Sequence, residues 1–373
     1  MIKILKVIWV TICFIVIVLY LLSCFTFCIP PNTFSYISLL AILFPYLLIA
    51  AVICCITLLF FNKRPVLALF IIVLITGIKN IGNSFAFNKG GWVMPKTQGA
   101  LRIMTWNVEE FVAIVKNGPR AKPRSEMMDA INLYKPDILC VQEYRDMQNS
   151  RWAASVKKEL DSLGFIFSFV SNDSVLVQKE RSQDAVIFCG SAIFSRTPFL
   201  DSGRINIHNR VHNENAVYAD IEFNSRKLRF FTAHLSSFFL YSDTTDGKSK
   251  GNIYSITYRR KRNVQYKIRE NEILHESEAK ILRSAMDNSP NPVIYCGDIN
   301  STPASYTYNK LRGNLQDAFL QKGSGIGVTF YKLLQNLRID VCLADKSLAI
   351  RQCTVPQLYL SDHFPVVTDI TWK

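Results

Sequence analysis

The chain has 373 residues, 49% hydrophobic and 19% charged, with 43 Lys and Arg against 29 Asp and Glu for a formal charge of +14. Soluble domains usually carry about 25% charged residues, and the deficit here is local: residues 1–98 contain no Asp or Glu and seven basic residues. The remainder holds 36 basic and 29 acidic residues, a net +7, and this composition excludes disorder, a disulfide-stapled miniature, a collagen-like chain and a wholly soluble protein.

No charged side chain lies between Val7 and Asn62. A bilayer-spanning helix takes roughly 20 apolar residues, so two spans are predicted, near Val7–Cys28 and Ile37–Phe61. Pro30-Pro31-Asn32 divides them, because proline ends a helix. A third segment from Pro65 to about Phe87 is interrupted by Lys79, whose ammonium can snorkel toward headgroups. Lys3 and Lys6 ahead of an apolar run also fit a cleaved signal peptide, but further apolar sequence follows with no soluble gap. Basic loops favour the cytoplasmic side, here Lys3, Lys6 and Lys63-Arg64. Three spans then put everything after Lys89 outside the cytoplasm, and two put it inside. The expected organisation is a transmembrane region of two to three helices over 1–88, a linker rich in Gly and Pro over 89–99, and a folded domain over 100–373.

Within that domain the apolar runs predict strands at Leu101–Asn107, Asp137–Gln142, Ala185–Phe194, Asn215–Phe223, Leu228–Leu235, Pro292–Cys296, Arg338–Leu343 and Phe364–Trp372. Asn224-Ser225-Arg226 joins two of them at hairpin spacing. Helices are predicted over Arg151–Leu163, where Trp152, Val156, Leu160 and Leu163 recur at helical spacing before Gly164, and over about Asn263–Asp287. Mixed strand pairing with interspersed helices suggests an α/β layered sandwich. The ten cysteines sit mostly in apolar runs and form no CxxC pair or Cys/His zinc spacing, so neither a thiolate metal site nor a disulfide framework is expected.

Polar residues of catalytic type follow six of the apolar runs: Asn107, Gln142-Glu143, His234, Gly297-Asp298-Ile299-Asn300, Arg338-Ile339-Asp340 and Ser361-Asp362-His363. Strand ends open onto loops, where a rigid sheet can hold side chains around one cleft. If these ends share an edge, Glu143, Asp298, Asp340 and Asp362 converge. Crowded carboxylates raise one another's pKa, and a hard divalent cation with a protonated imidazole relieves the repulsion. Oxygen ligands of this kind suit magnesium or manganese rather than zinc. Each piece alone reads as surface decoration or a turn; six in one order at the same kind of boundary do not.

The ordered set Asn107, Glu143, His234, Gly297-Asp298-x-Asn300, Arg338-Ile339-Asp340 and Ser361-Asp362-His363 resembles the endonuclease/exonuclease/phosphatase superfamily. It is most similar to membrane-anchored bacterial members, including the stretch from Asp317-Ala318-Phe319 to Lys322-Gly323-Ser324-Gly325. The resemblance spans roughly Leu101 to Trp372. It implies a four-layer sandwich of two mostly antiparallel β-sheets flanked by helices, and an integral protein of a bacterial inner membrane that cleaves phosphate mono- or diesters with Mg2+ or Mn2+. It further implies Glu143 as principal metal ligand with Asn107 and Asp362 nearby, and Asp298 orienting or deprotonating water. Asn300 would bond a phosphate oxygen, His363 would contact the phosphate with Asp340 holding its ring, and His234 would stand on the phosphate or leaving-group side. Ile299, Val341-Cys342 and Ser191 depart from the usual pattern, which bears on substrate contacts more than on catalysis.

Substrate class stays open among nucleic acid, a phospholipid headgroup and an inositol phosphate; the lipid bilayer is the other expected partner, and no obligate protein partner is inferred. The run Arg259-Arg260-Lys261-Arg262, with Tyr254, Tyr258 and Tyr266 interleaved, offers a grip on nucleic-acid phosphates or anionic headgroups. It reads equally as a solvated helix start balanced by Glu270, Glu272, Glu276 and Glu278. Two alternatives accompany the nuclease or phosphodiesterase reading. One is a sphingomyelinase-like phospholipase C. The other is a non-catalytic binding domain that retains the fold, disfavoured because every acidic and histidine position of the pattern is filled.

Overall fold

The computed structural model describes residues 2–34, 36–61, 63–111, 121–150, 154–178, 184–207, 214–237 and 264–373. Three helices open the chain, α1 (Ile2–Ser23), α2 (Ile37–Leu59) and α3 (Lys63–Ser84), each long and apolar enough to cross a membrane. They pack through Cys13, Ile17, Tyr20, Phe44, Ala51 and Val73. α1 stops earlier than expected, and residues 24–28 turn back at its end. The third helix is unbroken by Lys79, whose Nζ lies 3.5 Å from the centroid of the Phe27 ring beside that turn.

A two-residue strand β1 (Ala86–Phe87) leads to β2 (Leu101–Asn107), α4 (Ala121–Tyr134), β3 (Ile138–Gln148), α5 (Val156–Ser162), β4 (Phe167–Val170), β5 (Ser174–Gln178) and β6 (Ala185–Ser195). Then come β7 (Phe199–Ile205), β8 (Ala216–Phe223), β9 (Arg226–His234), α6 (Val264–Asp287), β10 (Val293–Asp298) and α7 (Tyr306–Arg312). The chain closes with β11 (Gln316–Asp317), α8 (Ala318–Lys322), β12 (Ser324–Gly325), β13 (Asp340–Ala344), β14 (Leu348–Thr354) and β15 (Val366–Trp372). α5 begins at Val156 because the Ser155 hydroxyl caps it, accepting from Lys158 N; residues 151–153 of the predicted helix lie outside the described residues.

Two sheets stack face to face. One runs β11-β13-β10-β9-β8-β7, the other β14-β15-β2-β3-β6-β4 with β5 also on β6. Among these pairings β2/β3 and β9/β10 are parallel and the rest antiparallel. Period-two alternation builds the layers. On β10, Ile294 and Cys296 face the inter-sheet core with Ile103, Cys140 and Phe230. Val293 and Tyr295 face the opposite way, onto Ala279, Leu282 and Met286 of α6 and Tyr308 and Leu311 of α7. On β2, Met104 and Trp106 likewise turn outward onto Met127 and Ile131 of α4 and Leu160 of α5. The result is the four-layer sandwich, and burial on both faces explains why the central strands read as continuous apolar runs.

The helical region is seated directly on the sandwich. Thr26 Oγ1 donates to Ala304 O at 2.7 Å, Asn336 Nδ2 to Ile42 O at 2.6 Å, and Asn32 N to Glu276 Oε2 at 2.9 Å. The last-turn carbonyls of a helix lack intrahelical partners and carry partial negative charge. At the end of α3, Arg338 Nη2 donates to Asn83 O and Arg312 Nη1 to Asn83 Oδ1, both at 2.6 Å. The buried Arg338 is also paired with Asp317 at 2.6 Å. Residues 88–97 are pinned as well, through Asn88 Nδ2 to Leu320 O, Val93 N to Gln352 Oε1 and Thr97 N to Asp369 Oδ2. The opposite end of the helical region carries Lys6, stacked 4.7 Å from the Phe61 ring centroid.

Candidate active site

The topology brings the polar residues to one edge by a simple rule: parallel strands end together, and an antiparallel neighbour begins where they end. β9 and β10 finish side by side, His234 opposite Asp298, and β13 starts there with Asp340 opposite Asp298. In the other sheet β2 finishes at Asn107, and Ser361-Asp362-His363 precedes its antiparallel neighbour β15. Glu143 arrives differently. It lies inside β3, where the register against β6 shifts between Val141 and Tyr144, and its φ is +53°. A bulge re-aims the side chain that a regular strand would point elsewhere.

The site centres on Asp298, which is fully buried. Its Oδ2 accepts from Asn107 Nδ2 at 3.2 Å and stands 3.6 Å from His234 Nε2 and 3.7 Å from His363 Nε2. Its Oδ1 accepts from Asn300 N at 2.8 Å, a local turn that requires φ +47° at Asn300. The Asn300 amide donates to Leu235 O at 2.8 Å. His363 Nδ1 bonds Asp340 Oδ2 at 2.8 Å, and Phe330 covers the ring with centroids 4.9 Å apart. Asp362 Oδ1 lies 3.9 Å from His363 Nε2. Asn107 Nδ2 also donates to Glu143 Oε1 at 3.1 Å, while Asn107 Oδ1 accepts from Glu109 N at 3.2 Å. The amide thus bridges two acids rather than presenting its oxygen to them.

Eight expected residues therefore gather at one edge: Asn107, Glu143, His234, Asp298, Asn300, Asp340, Asp362 and His363. Arg259, Arg260 and Arg262 lie outside the described residues. A ninth member, Glu214, escaped the sequence analysis. Its Oε1 stands 3.7 Å from His234 Nδ1, and its Oε2 accepts from Glu143 N at 3.2 Å and Ser191 Oγ at 2.8 Å. The hairpin register gave only a partial signal: it sets Asn215, the residue ahead of β8, opposite His234, with Glu214 one position further out.

The electrostatics follow from this crowding. Burial and the neighbouring Asp340 raise the Asp298 carboxyl, opposed by the two imidazoles. Glu143 is pushed up to about 7, chiefly by burial. Burial disfavours charge on both histidines, yet each is pushed up to about 10 because carboxylates outweigh it: Glu214, Asp298 and Glu143 around His234, and Asp340, Asp298 and Asp362 around His363. Five carboxylates against two imidazolium rings leave a deficit of positive charge that suits a cation. Ligand atoms of Asp298, Asp340 and His363 lie within 4.8 Å of one another. There the His363–Asp340 bond already uses ring Nδ1 and one carboxylate oxygen, whereas the Glu143 and Asp362 side chains are partly exposed.

A family model described as endonuclease/exonuclease/phosphatase matches residues 104–363, and one described as a domain of unknown function matches residues 5–84. No curated protein matches the chain by sequence. Among solved structures, the human Nocturnin catalytic domain with bound sulfate anion is 17% identical, with 75% of this chain and 97% of that one covered and a TM-score of 0.49. D. rerio TDP2 complexed with single strand DNA product is 16% identical over 73% of this chain and 99% of that one, at a TM-score of 0.47. An endonuclease/exonuclease/phosphatase family protein from Bacteroides thetaiotaomicron is 14% identical over 75% and 99%, at 0.49. With more than half its length matched by the family model and that family's sheet-on-sheet architecture in place, the chain belongs to the endonuclease/exonuclease/phosphatase family.

Proposed function

We propose that the protein is a membrane-tethered, divalent-metal-dependent hydrolase of phosphate mono- or diesters. The observation that carries this reading is one carboxylate oxygen, Asp298 Oδ2, with Asn107 Nδ2, His234 Nε2 and His363 Nε2 all within 3.7 Å. Family membership supports it, since members are usually phosphoester hydrolases and typically use divalent metals. Glu143, Asp362 and, after rotation of its amide, Asn107 would hold Mg2+ or Mn2+, the hard cations that oxygen donors select. When bound, such an ion would polarise a phosphoryl oxygen and lower the pKa of water.

The chain's own residues supply the rest. Uncatalysed phosphate-ester hydrolysis is slow enough that on the order of 20 kcal/mol of barrier lowering is needed, mostly from positioning and charge neutralisation. Asp298, held by Asn300 N, orients the attacking water and takes its proton. His363 keeps its charge through Asp340 and aims Nε2 at the phosphate. His234 faces the same region from the other sheet, its Nδ1 turned to Glu214. The Asn300 amide bonds Leu235 O with one N–H, which leaves the second for a non-bridging phosphate oxygen.

Magnesium-dependent hydrolysis of bis-(4-nitrophenyl) phosphate by the purified full chain, abolished by EDTA, is the expected result. Glu143→Gln and Asp298→Asn should each abolish turnover with the fold intact; normal turnover by the Asp298→Asn protein overturns the assignment. Plasmid DNA, sphingomyelin and inositol phosphates assayed side by side then sort the substrate.

The seating of the helices supports one membrane sidedness as part of this proposal. The sandwich meets the end that carries Thr26, Asn32 and Asn83. Lys3, Lys6, Lys63 and Arg64 lie at the opposite end, the one expected in the cytoplasm. With three crossings, the catalytic domain would lie on the extracytoplasmic face.

A further inference from the structure

α6 buries an unusual stripe. Asn271, His275 and Glu278 recur at i, i+4 and i+7, one helical face, yet all three are buried and polar. Burying polar groups is costly unless each is matched, and here the matches lie in two loops that leave the active site. Ser236 and Ser237 follow His234. Glu278 Oε2 accepts from Ser236 N at 3.1 Å and Glu278 Oε1 from Ser236 Oγ at 2.5 Å. Asn271 Nδ2 donates to Ser237 O at 3.0 Å, and His275 Nε2 bonds Ser236 O. Ser301 follows Asn300, and its hydroxyl lies 3.3 Å from His275 Nδ1. A carbonyl can only accept, so Nε2 carries a proton and the single ring ties one loop by each nitrogen. The next residue on the helix, Glu276, receives Asn32 N from the segment joining α1 to α2.

We propose that His275 is a positioning residue for the hydrolysis: its ring fixes the spacing between the loop behind His234 and the loop behind Asn300, and so sets how His234 and Asn300 meet the phosphate. Its two ring nitrogens meet Ser236 O and the Ser301 hydroxyl rather than the reacting groups described above. Nothing in the family-defining pattern of strand-end residues includes it, and it lies on a helix that begins beyond the second of the paired hairpin strands. The proposal rests on the reading of the site as a phosphoester hydrolase, and its test separates the two.

The test uses the full chain in detergent with Mg2+ and bis-(4-nitrophenyl) phosphate. Gln at this position sets an N–H where Nε2 stands and leaves the Nδ1 side vacant, whereas Asn does the reverse. His275→Ala should lower kcat by about 10- to 100-fold, the range expected for displacement of about 1 Å near reacting groups, with KM changed less than about threefold. His275→Gln should recover part of that loss. Because Gln has already released Ser301, adding Ser301→Ala to His275→Gln should cost nothing more, although Ser301→Ala alone lowers kcat. Amide exchange should quicken at residues 235–237 and 300–302 in His275→Ala while 341–343 of β13 stay protected. If His275→Ala does not fold, the Gln variant and the cycle carry the comparison. A kcat within about threefold of wild type for His275→Ala and His275→Gln overturns the proposal, as do additive losses in the cycle. If the wild-type chain hydrolyses no phosphoester, the proposed reaction falls, and the exchange measurement alone decides whether His275 couples the two loops.

Discussion

Gly297→Ala probes how finely the ends of β9 and β10 are set. These strands run parallel, with Gly297 opposite Ala233 and Asp298 opposite His234 on the next rung. A Cβ at Gly297 would stand 2.3 Å from Ala233 O and 3.0 Å from Ala233 N, main-chain obstacles that cannot rotate aside. Ordinary contact begins near 3.4 Å, so the two strands must part by about 1 Å at that rung. The displacement passes to the 3.6 Å approach of His234 Nε2 to Asp298 Oδ2. A misplacement of about 1 Å costs about 10²-fold in rate, or about 2.7 kcal/mol of barrier. Overpacking adds a stability loss of about 1–3 kcal/mol, and each kcal/mol lowers Tm by about 2–4 °C in a domain of this size. We therefore expect kcat for bis-(4-nitrophenyl) phosphate to fall about 100-fold, KM to change little and Tm to drop by several degrees. A variant with kcat within about threefold of wild type and an unchanged Tm would refute the argument that this rung sets the site.

Two further outcomes follow from the charges. Glu143 is pushed up to about 7, chiefly by burial, so a proton and a cation compete for it; Mg2+ affinity measured by calorimetry should level off above about pH 8 and weaken as pH falls through about 7. Affinity that stays constant down to pH 5, or that survives Glu143→Gln unchanged, contradicts Glu143 as a ligand. With the basic residues Lys3, Lys6, Lys63 and Arg64 at the end remote from the sandwich, an alkaline phosphatase fusion after Lys89 should be active and a green fluorescent protein fusion there dark. The reverse pattern would put the catalytic domain in the cytoplasm and leave one helix short of crossing.

Much of the architecture was written along the chain. Strands buried on both faces must be apolar throughout, which made β2, β6, β8, β9, β10 and β15 legible as runs. The three long helices declared themselves by a lack of charge. Residues that carry charge at the ends of such runs are out of place unless something gathers them, so eight of the nine groups now found together could be named beforehand. Half-exposed strands gave no such signal: β7 includes Asp201, Gly203 and Arg204, and its burial alternates irregularly. The short helix α7 depends on a single Ser305 cap rather than on periodicity.

Other features belong to the fold alone. Glu143 reaches the site only because β3 bulges there, and a bulge is an event between two strands. Glu214 meets His234 from the segment ahead of β8, His275 joins two loops through the packing of α6, and Arg338 meets Asn83 O from 255 positions along the chain. A sequence records which side chains must be buried or solvated, because transfer from water is a property of each residue. It does not record which buried donor finds which acceptor, because that is fixed only when strand register and helix placement bring distant segments within about 3 Å.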